Sequence, residues 1–320
     1  MATTSQPGNW QEKDMAALRF DGMVAIVTGG GGQKPSLGRS HALFLASRGA
    51  KVVVNDIGVG PDGRNEVPAS AAALVDEIRA AGGDAVADTN SVATPDSAKA
   101  VVQTALETFG AIHIVINNAG VALLAPFEEL SDCDISRMLD VHMLGPIWMC
   151  RAAWPHMKQQ RYGRIVNVGS TAMFGIYGTS VYGAAKGGTY SLTRALAVEG
   201  EDYDIKVNTI LPMAGTVAIS HLQSDSELTR AQLQQSPELV SPVVGLLAHQ
   251  SCPCSGKAIE AGGGKAYDVV LGTTTGYQSS AISIENLADN WDQVVDQAGL
   301  KIAPDTLRDL RMSLKAYKPA

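Results

Sequence analysis

A glycine turn constrains this chain more than any other stretch. Residues 23–28 form a short apolar run, residues 29–39 hold five glycines, and residues 40–48 carry helical spacing. A turn without Cβ atoms between a strand and a helix lets backbone N–H groups crowd against a phosphate at the helix N-terminus. Such a beginning commits a chain to strands and helices in alternation. Further strands are predicted at 51–55, 85–87, 113–117, 164–168, 206–211 and 257–260, each a short apolar run bounded by turn residues. Helices are predicted at 69–81, at 95–109, at 130–158 with a bend at Gly145-Pro146, and at 182–200, and another begins at 241. Seven strands in this order predict an α/β fold. Its form is a doubly wound, seven-stranded parallel sheet of Rossmann type flanked by helices.

The ends of those strands carry the chemistry. Asp56 follows the second strand, where a carboxylate accepts hydrogen bonds from the ribose hydroxyls of a dinucleotide and repels a 2′-phosphate. NAD is therefore expected over NADP, with Lys34 in the glycine loop as the one cation long enough to reach a phosphate. Residues 88–92 are expected to pass the adenine. Asn117-Asn118-Ala119-Gly120 ends the fourth strand, with small residues for close backbone approach and amides that can tie neighbouring strands. Beyond the fifth strand stands Ser170, and Tyr182 and Lys186 follow, four apart on one helix face. A phenol with pKa near ~10 is a poor proton carrier at neutral pH, and a lysine ammonium beside it favours the phenolate. Ser170 can hold a reacting oxygen against Tyr182. That trio suits reversible hydride transfer between a nicotinamide and an alcohol or carbonyl, without a metal or a covalent intermediate. Tyr-x-x-x-Lys alone is equally an ordinary helix surface; the glycine turn, the acid and the Asn-Asn-Ala-Gly segment upstream decide the reading. His142 reads either as a satisfied core histidine or as a relay for protons from Lys186.

Composition then removes other classes. A formal charge of −7 argues against a nucleic-acid binder working by phosphate neutralisation. The four cysteines are scattered, and Cys252-x-Cys254 lacks a second ligand pair, so no disulfide framework and no metal site are expected. No apolar window approaches ~18 residues and no signal segment opens the chain, which gives the expectation of a cytoplasmic protein without membrane insertion. Residues 1–17 read as a flexible arm and 18–265 as the dinucleotide-binding catalytic domain. Within it, 213–237 reads as a substrate lid carrying Met213, Val217, Ile219 and Leu222. Residues 266–320 read as an extension on the same domain or a neighbouring subunit, with a helix over 284–298 carrying Trp291.

These motifs, with Val52-Val53-Val54-Asn55-Asp56, Arg151-Ala152-Ala153-Trp154-Pro155-His156-Met157 and Tyr182-Gly183-Ala184-Ala185-Lys186, resemble the short-chain dehydrogenase/reductase family over about residues 18–298. Within it, the chain is most similar to the dehydrogenase domains of multifunctional β-oxidation enzymes and their bacterial single-domain relatives. The resemblance implies Ser170, Tyr182 and Lys186 as catalytic, with His142 in the place of the usual catalytic asparagine. It implies a cofactor site of Gly29, Ser36, Leu37, Gly38, Asp56, Asn90, Ser91, Asn118, Ala119, Gly120, Tyr182, Lys186 and Pro212. Leu123, Leu124, Met173, Tyr177, Met213 and Val217 are the corresponding substrate candidates, and a homodimer or homotetramer is implied. Several departures matter. Three residues are inserted before Leu37, leaving Ser36 where a glycine is usual. Ser170 lies twelve residues before Tyr182 rather than thirteen, and Asn90 replaces an aspartate. Val121-Ala122-Leu123-Leu124 stands where CoA-handling relatives carry an arginine–aspartate pair. The expected activity is NAD-dependent interconversion of a bulky hydrophobic secondary alcohol, hydroxysteroid-like, and its ketone. An (R)-3-hydroxyacyl-CoA dehydrogenase is the alternative, and a non-catalytic dinucleotide-binding protein is the reading from another class.

Overall fold

The computed structural model describes residues 17–63, 70–217, 230, 231 and 233–302. The expected arm, apart from Ala17, lies outside these residues, as do Ile219 and Leu222 of the expected lid and everything past 302. One sheet organises the rest. Its strands are β1 (Val24–Thr28), β2 (Lys51–Asn55), β3 (Asp84–Asp88), β4 (Ile114–Asn117), β5 (Gly163–Val168), β6 (Ile205–Pro212), β7 (Ala258–Gly262) and β8 (Lys265–Val269). They lie in the order β3-β2-β1-β4-β5-β6-β7-β8, parallel except for β8, which runs antiparallel to β7. The sheet thus has eight strands rather than seven. The eighth escapes a hydrophobicity reading because Lys265, Ala266, Tyr267 and Asp268 are all exposed on an edge. The inner strands are buried on both faces, which is why they read as continuous apolar runs.

Helices cover both faces. On one side α1 (Leu37–Ser47) and α2 (Ser70–Ala80) bury Ala42, Leu45, Leu74 and Ile78 against β1 and β2. On the other, α3 (Pro95–Phe109) presents Ala98, Val101, Val102 and Ala105. Thr94 caps α3 by accepting from the Ser97 N–H, Pro95 opens it, and Gly110 at φ 78° closes it. The predicted helix over 130–158 contains a π-helical turn. It divides into α4 (Asp132–Leu139), a π-helical stretch at Asp140–Leu144, and α5 (Gly145–Gln160). Then α6 (Ser180–Gly200) carries the Tyr-x-x-x-Lys pair, and α7 (Ser241–Ala248) packs beside α1.

The predicted helix over 284–298 is two short ones, α8 (Ile284–Asp289) and α9 (Trp291–Val295). A capping box between Ser283 and Asn286 opens the first, and the break falls at Asn290.

Candidate active site

The sheet order reverses at β1 and β4, the place where an open α/β sheet has a crevice beyond its strand ends. Thr28, the last residue of β1 and the one before the glycine turn, governs that crevice. Its buried hydroxyl accepts from the backbone N–H of both Asn118 and Ala119 at 3.0 Å. Asn118 answers by donating its side-chain amide to the carbonyls of Thr28 at 2.9 Å and Gly29 at 3.1 Å. The glycine turn is thereby pressed on the Asn-Ala turn. A Cβ at Gly29 would sit 2.8 Å from the Ala119 Cα, and one at Gly38 would overlap the Gly29 carbonyl oxygen. Gly38 therefore fills the close-packing role, and Ser36 is the N-cap residue of α1, with extended backbone and no side-chain capping bond. Leu37 packs onto the core beneath.

Asp56 follows β2 as expected. Its two carboxylate oxygens accept the N–H groups of Gly31 at 3.0 Å and Gly58 at 2.9 Å, so it braces the glycine loop from outside. Lys34 is held instead by Glu77 at 3.4 Å, and Arg39 pairs with the same carboxylate. At the end of β3 the buried Asp88 accepts from the Asn55 amide at 2.7 Å, the Asn90 N–H at 3.0 Å, the Asn90 amide at 2.9 Å and Thr104 at 2.6 Å. Asp88 thus fixes Asn90, and the Ser91 hydroxyl turns the chain onward by accepting the Ala93 N–H. A carboxylate at the end of a strand, among small polar residues, is the signal that could have identified it.

The trio assembles where β5 meets α6. Ser170 is the N-cap of a short 3-10 turn, accepting the Ala172 N–H at 3.1 Å, and its hydroxyl is near enough to the Tyr182 phenol to act on its pKa. Lys186 is buried, donating to the Val168 carbonyl at 2.5 Å, with its ammonium 5.6 Å from the centre of the Tyr182 ring. Burial pushes the Tyr182 pKa up while the Ser170 hydroxyl pulls it down. Burial also brings Lys186 down to about 7. The simple expectation of a permanent ammonium depressing the phenol is thus modified. Desolvation acts on both groups, and each is driven toward its neutral form.

His142 is buried beside them, its ring 4.9 Å from that of Tyr182 and nearly perpendicular to it. Its Nε2 lies 2.7 Å from the Val121 carbonyl and 3.0 Å from the Val121 N–H. Burial, and the nearby Lys186 charge, lower its pKa to about 3, so it stands neutral. A Cβ at Gly120 would meet the His142 ring at 2.6 Å, which requires glycine there. The π-helical stretch that delivers His142 has a local cause. Pro146 has no N–H to give to the carbonyl four residues back, which is that of His142. Thr189 of α6 donates its hydroxyl to that carbonyl at 2.8 Å.

The substrate candidates divide. Leu124 packs on Gly178, whose carbonyl accepts the Ala125 N–H at 3.1 Å, and Leu123 lines a cavity of about 40 Å³ with Val121, Arg137 and Met138. Met173 packs on the buried cluster of Tyr190, Leu211 and Ala258. Tyr177 is 84% exposed. Met213 donates its N–H to the Ala261 carbonyl at 2.7 Å, just past Pro212 at the end of β6. Val217 donates to the Pro35 carbonyl at 3.0 Å, tying the start of the expected lid to the glycine loop.

The short chain dehydrogenase family profile matches residues 23–227. The chain belongs to the short-chain dehydrogenases. It is therefore an oxidoreductase, from a family that typically uses NAD or NADP. A short-chain type dehydrogenase/reductase of Mycobacterium tuberculosis is 40% identical over 282 residues, covering 88% of this chain and 96% of that protein. The mouse peroxisomal multifunctional enzyme type 2 is 38% identical over 297 residues, 91% of this chain but 39% of that protein. A short chain dehydrogenase from Mycobacterium avium superposes with a TM-score of 0.73 at 35% identity, covering 89% of this chain and 97% of that one.

The residues present fit a nicotinamide dinucleotide. The Gly29–Gly38 contact leaves no room for side chains between turn and helix. The start of α1 carries no side-chain cap, and Asp56 stands at the end of β2. Gly31, Asp56 and Thr28 lock the loop to the strand ends, which is the preorganisation a pyrophosphate site needs.

Proposed function

We propose that this short-chain dehydrogenase uses NAD to interconvert a bulky hydrophobic secondary alcohol, hydroxysteroid-like in size, and its ketone. The observation that carries the reading is the Tyr182 ring lying 5.6 Å from the buried Lys186 ammonium, next to Ser170 and beside the uncharged 121–124 segment. When bound, the nicotinamide supplies or accepts the hydride at the carbinol carbon. The chain supplies everything around that transfer. Tyr182 gives its phenolic proton to the ketone oxygen in reduction and takes it back in oxidation. Ser170 donates to the same oxygen and holds it in line. Lys186, with its pKa near 7, exchanges protons close to neutrality and returns one to Tyr182. Fixed donors around the developing alkoxide are the expected main source of rate. His142 is here a positioning residue: it holds the Val121 backbone beside the Tyr182 ring. Asp56, at the end of β2, supports NAD over NADP, since a carboxylate there would repel a 2′-phosphate.

Similarity to the mouse multifunctional enzyme favours a second reading, an (R)-3-hydroxyacyl-CoA dehydrogenase. It requires CoA thioesters to exceed free ketones in kcat/KM. Tyr182→Phe tests the main reading. Turnover of ketone with NADH should fall by at least a thousandfold while NADH fluorescence titrates as in the parent protein. A variant that keeps near-normal turnover overturns the assignment.

A further inference from the structure

The loop after β2 is longer than a strand-to-helix connection needs, and nothing in the proposed chemistry uses it. Its first part, residues 57–63, crosses from the cofactor side of the crevice to the 121–124 segment. At one end the Gly58 N–H bonds Asp56 at 2.9 Å. Further along, the Pro61 carbonyl accepts the Ala122 N–H at 2.8 Å, and Gly63 closes a tight turn onto the Gly60 carbonyl at 2.9 Å. Gly63 has φ 69°, and a Cβ there would lie 2.7 Å from Val121 Cγ1 and 3.3 Å from Arg137 Cδ. Val121 is thus held from two sides: His142 grips its backbone, and Gly63 sets how far its side chain can move outward. The cavity of about 40 Å³ between Asp62, Val121, Leu123 and Met138 is the remaining slack on that side.

We infer that residues 60–63 form the outer wall of the substrate site, and that Gly63 determines which ketones fit by fixing the position of Val121. The inference rests on the proposed ketone–alcohol reading. Gly63 touches neither cofactor nor reacting atoms and acts as a positioning residue. Any side chain at 63 drives Val121 inward toward the His142–Tyr182 wall, and the site narrows. Wide substrates are then excluded before narrow ones.

The test compares Gly63→Ala and Gly63→Asn with the parent enzyme, using NADH with cyclohexanone as the narrow ketone and trans-1-decalone as the wide one. Asparagine tolerates a positive φ, so Gly63→Asn separates filled space from backbone strain. Decalone kcat/KM should fall about tenfold, mostly through KM, while cyclohexanone changes less than twofold and NADH affinity stays at the parent value. Adding Val121→Ala to Gly63→Asn should restore decalone turnover, because it removes the methyl that the new side chain meets. Equal losses on both ketones, or no rescue by Val121→Ala, overturn the inference while leaving the reaction class intact. A parent enzyme that reduces neither ketone overturns the functional reading, and the inference falls with it.

Discussion

Two histidines are buried neutral, and this makes the fold sensitive to acid. His41 on α1 is 1% exposed, with Nδ1 2.8 Å from the Ser241 hydroxyl of α7 and no partner at Nε2. His142 is 4% exposed and faces Val121, Tyr182 and Lys186. Desolvation lowers both from 6.5 to about 3. The unfolded chain therefore binds protons that the folded chain refuses between pH 6.5 and 3, and stability falls with acid across that window. Between pH 7 and pH 5 each histidine should remove about 2 kcal/mol, at about 1.36 kcal/mol per unit of pKa difference. Lys186 acts in the window above. Lowered from 10.5 to about 7, it carries its full cost below pH 7, and that cost shrinks by about 2 kcal/mol between pH 7 and pH 9. Urea unfolding at pH 5, 6, 7 and 9 measures this directly. His41→Asn keeps a hydrogen-bonding side chain near Ser241 but cannot titrate, and it should remove about 2 kcal/mol of the loss between pH 7 and pH 5. An unchanged pH slope in His41→Asn would falsify the claim that burial holds this ring neutral.

Two further substitutions probe the crevice. Gly38→Ala drives a methyl into the Gly29 carbonyl and the Asn118 amide. It should cost about 1–3 kcal/mol in thermal or urea unfolding and weaken NADH binding at least tenfold; full cofactor affinity would refute the close-packing role. Asp88→Ala strips four hydrogen bonds from Asn55, Asn90 and Thr104 and leaves their donors to find water. A destabilisation of about 2–4 kcal/mol is expected, with faster amide exchange at Asn90, and a neutral result would show that the cluster relaxes freely.

The inner parallel strands were legible because they are apolar runs buried on both faces, and β2 falls at the expected residues 51–55. The edge strand β8 was not, since its stability comes from pairing with β7 rather than from burial of its own side chains. Along 130–158 the helical period was visible, but the irregularity is a π-helical turn at 140–144, just before the expected bend. What decides its place is the missing N–H of Pro146 together with a hydroxyl from Thr189, and that second half is a tertiary contact absent from local pattern. Tyr182, Lys186 and Asp56 each carry a motif of their own, so they could be proposed from the sequence. Thr28 and Asp88 were not singled out, because their importance lies in how many neighbours they satisfy. Tyr177, close to Tyr182 in the sequence, lies in solvent. Proximity along a loop does not set side-chain direction.

The glycine turn belongs to β1 and α1, whereas the trio belongs to β5 and α6, and β4 lies between them. Geometry between the two halves must therefore pass through the end of β4. Asn118 and Ala119 bond Thr28 on one side. On the other side the Asn117 amide donates to Asn167 of β5 at 2.8 Å, and Asn167 donates to Thr193 of α6 at 2.9 Å. Thr193 in turn accepts from Thr209 of β6 at 2.8 Å. These buried polar groups share their bonds across three strands and one helix, so a shift of any one leaves donors unpaired in a dry interior. Lys186 donates to the Val168 carbonyl, at the end of the same β5. Hydride transfer tolerates little error in the distance between cofactor and substrate carbon, and two adjacent asparagines, Asn117 and Asn118, tie the strand ends on which the proposed site is built.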